Sequence, residues 1–224
     1  MDQFKSSWIF TFANIKFFFV LALPVIAMES LTAHLIAPLG EMTQPEDIME
    51  FFQNNAAVMF VLVIVGIIVQ MAFLGGIWVS FVALDSNRDL NPISALQTGL
   101  AKFIPLFLGY IIYTIAMALG LLLLILPGIY IAARLSLFPG FIMLENKKTF
   151  ESISSSWEAT DEFGSKLFMF TLVFFSLSLV TGLILTSILP ANIFQLVIVA
   201  CAEYMFVIPL GYIYFTLYKT VKNN

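Results

Sequence analysis

The feature that most constrains this chain is a run of 42 residues, from Phe103 to Leu144, in which Arg134 is the only charged side chain. As one straight helix, such a run would be about 63 Å long at about 1.5 Å per residue, roughly twice the hydrocarbon core of a bilayer. The run must therefore fold back on itself. Pro127-Gly128 is the predicted break, because proline disrupts a helix and glycine permits a tight turn.

The rest of the chain has the same apolar character. Of its 224 residues, 61% are hydrophobic and 11% are charged, whereas about a quarter of a soluble domain is charged. Continuous apolar runs favour helices over a β-barrel, whose strands alternate apolar and polar residues. We predict an all-α fold: one polytopic membrane domain, 1–224, with six helical spans arranged as three hairpins. The spans are expected at about 15–39, 56–84, 103–126, 129–144, 167–189 and 194–218.

The basic residues predict the orientation of these spans. Nine of the ten lysines and arginines lie in the N-terminal segment, the 85–102 and 145–166 loops and the C-terminal tail. The 40–55 loop carries only acidic charges, which we expect to form a solvated face. The positive-inside rule then places both termini in the cytoplasm.

A weak internal repeat precedes each outward-going span. Three short stretches have apolar residues at helical spacing, and two polar segments start 60 residues apart, at Asp85 and Glu145. Such stretches suit helices that lie in the membrane interface, or they extend the spans into water. In the first case, the chain consists of three units, each an interfacial helix followed by a hairpin. The apolar positions are Phe4, Trp8 and Phe12, then Ile93, Leu96 and Leu100, then Phe150, Ile153 and Trp157.

Four ionisable residues within the spans are the candidate binding residues: Glu29, His34, Arg134 and Glu203. Charges at such depth are costly, and they usually face a cavity or a partner. Helical side chains lean toward the N-terminus, so Arg134 and Glu203, on two returning spans, lean the same way. Glu203 is the predicted partner of Arg134. The alternatives are Glu29 and a position at the outer interface, while His34 is expected to be hydrogen-bonded or interfacial.

Helix breakers follow both charges on the returning spans. Arg134 precedes Pro139 by five residues, and Glu203 precedes Pro209 by six. Interrupted helices in matching positions are typical of a transporter's binding site, but they also bend ordinary helical bundles.

Several classes of function lack the residues they need. The chain has no nucleophile elbow, zinc-protease helix, phosphate-binding loop or dinucleotide fingerprint, and its one histidine and one cysteine exclude a histidine-rich metal site. We therefore predict no enzymatic activity, no cofactor and no metal. The lack of a polybasic run argues against a nucleic-acid partner.

The stretch LPGIYIAARLSLFPGFIMLENKKTFESISSSWEAT, residues 126–160, resembles a pattern found in bacterial six-span membrane proteins. The pattern joins Pro-Gly, an arginine and a serine to a later Ser-Trp-x-x-Thr. With HLIAP near the end of span one, the layout is most similar to the YciC-like family of inner-membrane proteins. The broader group includes the membrane domain attached to some glycerophosphodiester phosphodiesterases. The resemblance implies a bacterial inner-membrane location and no established reaction. Here Glu158, Asp161 and Glu162 stand where the pattern often has arginines.

Two functions are compatible with these features. The first is a non-enzymatic integral inner-membrane protein with an envelope or accessory role, working in the lipid bilayer with another membrane protein or a second copy. The alternative is a transporter or channel for a small anionic or lipid-like solute, with Arg134 as the anion contact and Glu203 as its counter-charge. A membrane-embedded enzyme would need catalytic groups clustered at one depth, and the sequence does not show such a cluster.

Overall fold

The computed structural model describes residues 2–223, and this part of the chain is helical without a strand. Six helices, one of them in two segments, are long and apolar enough to cross a membrane. The predicted fold class is therefore confirmed. The α-helices, in chain order, are α1 Asp2–Ala13, α2 Ile15–Ile36, α3 Pro45–Asp85, α4 Pro92–Leu100, α5 Phe103–Leu123, α6 Ile125–Leu135, α7 Phe138–Glu145, α8 Thr149–Ala159, α9 Gly164–Ile188 and α10 Ile193–Asn223.

Span two differs most from its predicted bounds. Helix α3 has 41 residues and begins at Pro45, so most of the expected acidic loop is helical. Proline suits the first turn of a helix, and Glu46 and Asp47 lie where the helix dipole favours negative charge. At about 1.5 Å per residue, α3 is about 61 Å long, far longer than a bilayer core requires.

The turn between spans three and four also lies away from its predicted place. The chain breaks at Leu124, in extended conformation, and Pro127 is inside the first turn of α6. A proline there removes only an N–H that would have no intrahelical partner. Gly128 instead permits close packing of α6 on α5, because a Cβ added to Gly120 would lie 2.7 Å from the Cα atom of Gly128.

Span four is interrupted between α6 and α7, at Ser136 and Leu137. Pro139 lies in the first turn of α7, where it starts the second segment. The corresponding proline of span six, Pro209, lies inside the continuous helix α10. A proline therefore marks a break in only one of the two spans, four and six, for which a helix breaker was predicted.

The three predicted short helices are present as α1, α4 and α8, and each precedes the first span of a hairpin. The six spans form a closed ring in which α2 contacts α3, α3 contacts α5, α5 contacts α6, α6 contacts α9, α9 contacts α10, and α10 contacts α2. We call the end of the ring that carries both termini and the short helices the terminal side. The opposite end, with the three hairpin turns, is the turn side.

Each short helix docks on the hairpin of the preceding unit. Helix α4 packs on α2 and α3, α8 packs on α5, α6 and α7, and α1 packs on α10. Aromatic contacts also join Phe4 and Trp8 of α1 to Phe174 of α9. Since α1 follows the same rule as α4 and α8, the first unit closes the ring onto the third.

Small residues four positions apart make these docked contacts. The sequence Ser-Trp-x-x-Thr occurs in α1, with Ser7 and Thr11, and at the end of α8, with Ser156 and the C-cap residue Thr160. All four of these serine and threonine residues are fully buried. In α4 the equivalent face contains Gly99, where an added Cβ would lie 2.2 Å from the carbonyl oxygen of Ala72 in α3. Close backbone approach therefore holds α4 to its hairpin.

Candidate functional site

Arg134 lies at the end of α6 and is 4% exposed. Its Nη1 donates to Tyr130 Oη at 2.8 Å, its Nε donates to Thr160 Oγ1 at 3.0 Å, and its Nη2 donates to the carbonyl oxygen of Trp157 at 2.7 Å. Nη2 also forms an ion pair with Asp161 Oδ1 at 2.9 Å. The guanidinium carbon stands 4.3 Å from the centre of the Trp157 ring, a cation–π distance. Every nitrogen of the guanidinium group therefore has a partner within the chain.

Side chains at the end of α8 also bond to the backbone at the break between α6 and α7. Ser156 Oγ accepts from the backbone N–H of Leu137 at 3.1 Å and donates to the carbonyl oxygen of Arg134 at 2.9 Å. Thr160 Oγ1 lies 3.0 Å from that same carbonyl oxygen. Buried backbone groups without partners are costly in a membrane, so α8 satisfies the groups that the interruption of span four leaves open. We call this set the arginine clasp; it consists of Tyr130, Arg134, Ser156, Trp157, Thr160 and Asp161.

The prediction that Arg134 pairs with Glu203 is wrong. Side-chain direction predicts this pair only for a straight returning helix, whereas span four is divided into α6 and α7 and packs against α8. In the structure, the interrupted span brings Arg134 against the carboxyl end of α8, where Asp161 supplies the negative charge. Asp161 is one of the acidic residues that depart from the family pattern.

A central cavity of about 380 Å³ lies inside the ring, and five of the six spans contribute to it. Glu29 and Glu203 are its only charged lining residues, and eight of its 18 lining residues are aromatic. The lining consists of Glu29, Gln70, Phe73, Leu74, Ile77, Trp78, Phe81, Tyr110, Tyr113, Ser136, Phe138, Pro139, Glu203, Tyr204, Val207, Leu210, Gly211 and Tyr214.

The two cavity glutamates have different surroundings. Glu29 is half-buried, and its Oε1 accepts a hydrogen bond of 2.6 Å from Tyr204 Oη. Glu203 is exposed and, within residues 2–222, forms no ion pair. It also borders a groove of about 330 Å³ between α9 and α10. Glu29 borders a second groove of about 450 Å³, formed by α2, α3 and α5. Each carboxylate thus stands where the cavity meets a groove on the side of the bundle.

An aromatic layer adjoins the cavity at Trp78, one of its lining residues. The Tyr218 ring stands 5.7 Å from that of Trp78 and 5.3 Å from that of Phe141. Two tyrosines of α10 also bond to carboxylates: Tyr212 Oη donates to Asp85 Oδ1 at 2.8 Å, and Tyr218 Oη donates to Glu145 Oε1 at 2.7 Å. These bonds tie α10 to the ends of α3 and α7.

The remaining candidate residues lie elsewhere. His34 is exposed near the end of α2, and it does not line the central cavity. Among the described residues, no group of three or more His, Cys, Asp or Glu side chains is placed to hold a metal ion. Of the four candidates, the structure brings together Glu29 and Glu203, and it separates Arg134 and His34 from them.

The aromatic lining was not among the sequence-based predictions. Tyr110, Tyr113, Tyr204 and Tyr214 all reach the cavity, but aromatic residues make up 15% of the chain and do not stand out in the sequence. The sequence offered one signal, because Tyr204 directly follows the candidate residue Glu203. Both residues line the cavity.

Comparison with known proteins gives one limited match. The chain is 26% identical over 89 residues to "UPF0259 membrane protein plu2479" of Photorhabdus laumondii, a stretch that covers 40% of this chain and 35% of that protein. The aligned region is thus about a third of the relative's length. No family model matches the chain, and no solved structure matches it. The match and the six apolar helices together identify an integral membrane protein similar in part to a bacterial one.

Proposed function

We propose that this chain is a non-enzymatic protein of the bacterial inner membrane, with both termini in the cytoplasm, that binds a small solute in its central cavity. The observation that carries the proposal is the cavity itself: about 380 Å³ inside a closed ring of spans, with two carboxylates at its edges. Ligand pockets are commonly about 300–1,000 Å³ and mostly apolar, with a few polar groups. Ionisable residues inside a membrane commonly mark such sites.

Three further observations support this proposal. The partial match to a bacterial membrane protein and the resemblance to the YciC-like family favour an inner-membrane location. The distribution of basic residues favours cytoplasmic termini. The arginine clasp supports a structural role for Arg134, because its donors already have partners within the chain.

Native mass spectrometry of the detergent-purified protein tests the proposal. We expect the wild-type protein to retain an adduct of low mass, and we expect Leu74→Trp to lose it because a larger side chain fills the cavity. Ile64→Trp is the matched control: it lies on the same helix, and its side chain is exposed. An adduct that persists in Leu74→Trp, or that neither protein carries, would contradict binding in the cavity.

A transporter or channel is the second candidate, and the interruption of span four favours it. Broken helices beside a mid-membrane site are typical of transporters, and Ser136, at the break, lines the cavity. In this version Glu29 and Glu203 contact the solute, whereas Arg134 holds α8. Flux measured in proteoliposomes distinguishes transport from binding: the solute that binds must also cross the membrane, and Leu74→Trp must stop it.

A further inference from the structure

The central cavity has a negative character that nothing in its lining offsets. Glu29 and Glu203 stand at its edges, and none of its 18 lining residues is lysine, arginine or histidine. Arg134, near the end of α6, does not line the cavity and donates instead to other residues of the arginine clasp. A negatively charged solute would therefore meet two carboxylates with no basic residue beside them.

The aromatic side chains add a second feature that suits a cation. Eight of the lining residues are aromatic, four of them tyrosines. Aromatic faces attract ammonium groups, and this attraction is stronger where water is excluded. Tyr204 Oη donates a hydrogen bond to Glu29 Oε1, and the same oxygen can still accept a hydrogen bond from an ammonium N–H.

The size and ligand set of the cavity argue against a bare metal ion. Calcium takes about six to eight oxygen ligands, and magnesium needs nearly ideal octahedral geometry. Two carboxylates at the cavity edges do not supply such a shell, and the described residues contain no group of acidic or histidine side chains placed for a metal. A volume of about 380 Å³ is also far larger than an ion requires.

The apolar part of the lining indicates what else the solute carries. Phe73, Leu74 and Ile77 of α3 line the cavity together with Val207 and Leu210 of α10, and these side chains can cover a hydrocarbon body. The side grooves reach Glu29 and Glu203 from the outside of the bundle. A solute that came from the membrane through either groove would meet a carboxylate at its inner end.

We infer that the central cavity binds an organic ammonium compound with an apolar body, its cationic group held by Glu29 and Glu203 and its body packed against the aromatic lining. This inference rests on the proposed function, since it names the chemical class of the solute that the cavity binds. The inferred solute is a cation, whereas the alternative function drawn from the sequence had an anionic or lipid-like solute.

Three probes of one shape test the charge. They are 3,3-dimethylbutylammonium, 3,3-dimethyl-1-butanol and 4,4-dimethylpentanoate, which share a 3,3-dimethylbutyl body and differ in a positive, neutral or negative head. Isothermal titration is carried out on protein in lipid nanodiscs, with empty nanodiscs subtracted. We expect the ammonium compound to bind about tenfold tighter than the alcohol, and the carboxylate to bind most weakly.

Glutamine variants locate the site. Glu29→Gln and Glu203→Gln are each expected to weaken binding of the ammonium compound by about tenfold. Glu50→Gln is the control, because it removes one negative charge from an exposed position of α3 outside the cavity and should leave affinity unchanged. If Glu29→Gln fails to fold, Glu203→Gln still carries the test, since Glu203 forms no ion pair among residues 2–222.

The outcomes separate this inference from the proposed function. If the alcohol or the carboxylate binds as tightly as the ammonium compound, the solute class is wrong and the cavity remains a binding site. Equal affinity in wild type and both glutamine variants also overturns the inference. If no probe binds while Leu74→Trp still removes a native adduct, the ammonium class alone fails. If no probe binds and no adduct is lost, both proposals fail.

Discussion

Arg134 of the arginine clasp and Ser136 of the central cavity are two residues apart on span four, yet the charged groups of the two regions have opposite surroundings. Arg134 is 4% exposed and donates to four groups of its own chain, whereas Ser136 lines a cavity whose glutamates face open space. A charge whose partners are all internal holds the fold together, and one that borders a cavity is available to a ligand. Depth in the membrane therefore does not by itself tell a structural charge from a functional one.

Removal of the arginine itself is expected to have the largest effect. Arg134→Ala should lower the free energy of unfolding by about 3 kcal/mol, because it deletes several hydrogen bonds to a charged group and leaves buried acceptors unpaired. Thermal unfolding in detergent, with limited proteolysis between α8 and α9, measures the loss. Asp161→Asn is the control: the Asp161 side chain is 79% exposed, so its ion pair should contribute at most about 1 kcal/mol. If Arg134→Ala were as stable as the wild type, Arg134 would not be a structural charge and its contrast with the cavity glutamates would fail.

The serine that spans the helix break should have the next largest effect. Ser156→Ala leaves the N–H of Leu137 and the carbonyl of Arg134 without this hydroxyl, which should cost about 1–3 kcal/mol in unfolding free energy. Ser154→Ala, on the exposed side of the same helix, should change stability by less than about 0.5 kcal/mol. Equal melting temperatures for the two variants would show that the break in span four does not depend on α8.

The cavity glutamates are expected to have the opposite balance between stability and binding. Glu203→Gln should leave the melting temperature unchanged or raise it, with a change below about 0.5 kcal/mol, because it removes a carboxylate that lacks a protein partner. The same variant is expected to lose solute affinity. A large loss of stability would instead place Glu203 among the structural charges, with Arg134.

A double variant tests whether the two regions are separate. If Arg134 and Glu203 formed a pair, removal of both would restore much of the stability that either single variant loses. Because Arg134 pairs with Asp161 instead, the effects of Arg134→Ala and Glu203→Ala should add to within about 0.5 kcal/mol. The cycle is measured by thermal unfolding of the wild type, both single variants and the double variant. A coupling above about 1 kcal/mol would contradict the separation.

The spans and short helices could be predicted from the sequence, because an apolar run of sufficient length has few alternatives in a bilayer. The turn at 190–192 shows this at single residues: Asn192 Oδ1 accepts from the backbone N–H groups of Phe194 and Gln195 and caps α10. Hydropathy gave less information on where α3 begins, since its first turns are polar and still helical.

The candidate site was harder to predict because its residues come from distant parts of the chain. Tyr204 and Glu29 are 175 positions apart, and Asp161 follows Arg134 by 27. The motif that joins Arg134 to Ser156 and Thr160 was visible as a pattern, but its meaning as a set of contacts needs the docking of α8. Ser-Trp-x-x-Thr, repeated in α1 and α8, was the available signal that both helices dock in the same way.

The closed ring sets an order for assembly during synthesis. Helices α4 and α8 each dock on a hairpin made just before them, whereas α1 docks on α9 and α10, which are made after the other described helices. At about 5–20 residues per second, α1 waits about 10–40 s for that hairpin. Until then Trp8 has no ring of α9 or α10 to pack against, and the membrane interface is where such a side chain rests. Among the described helices, α1 therefore waits longest for the hairpin on which it docks.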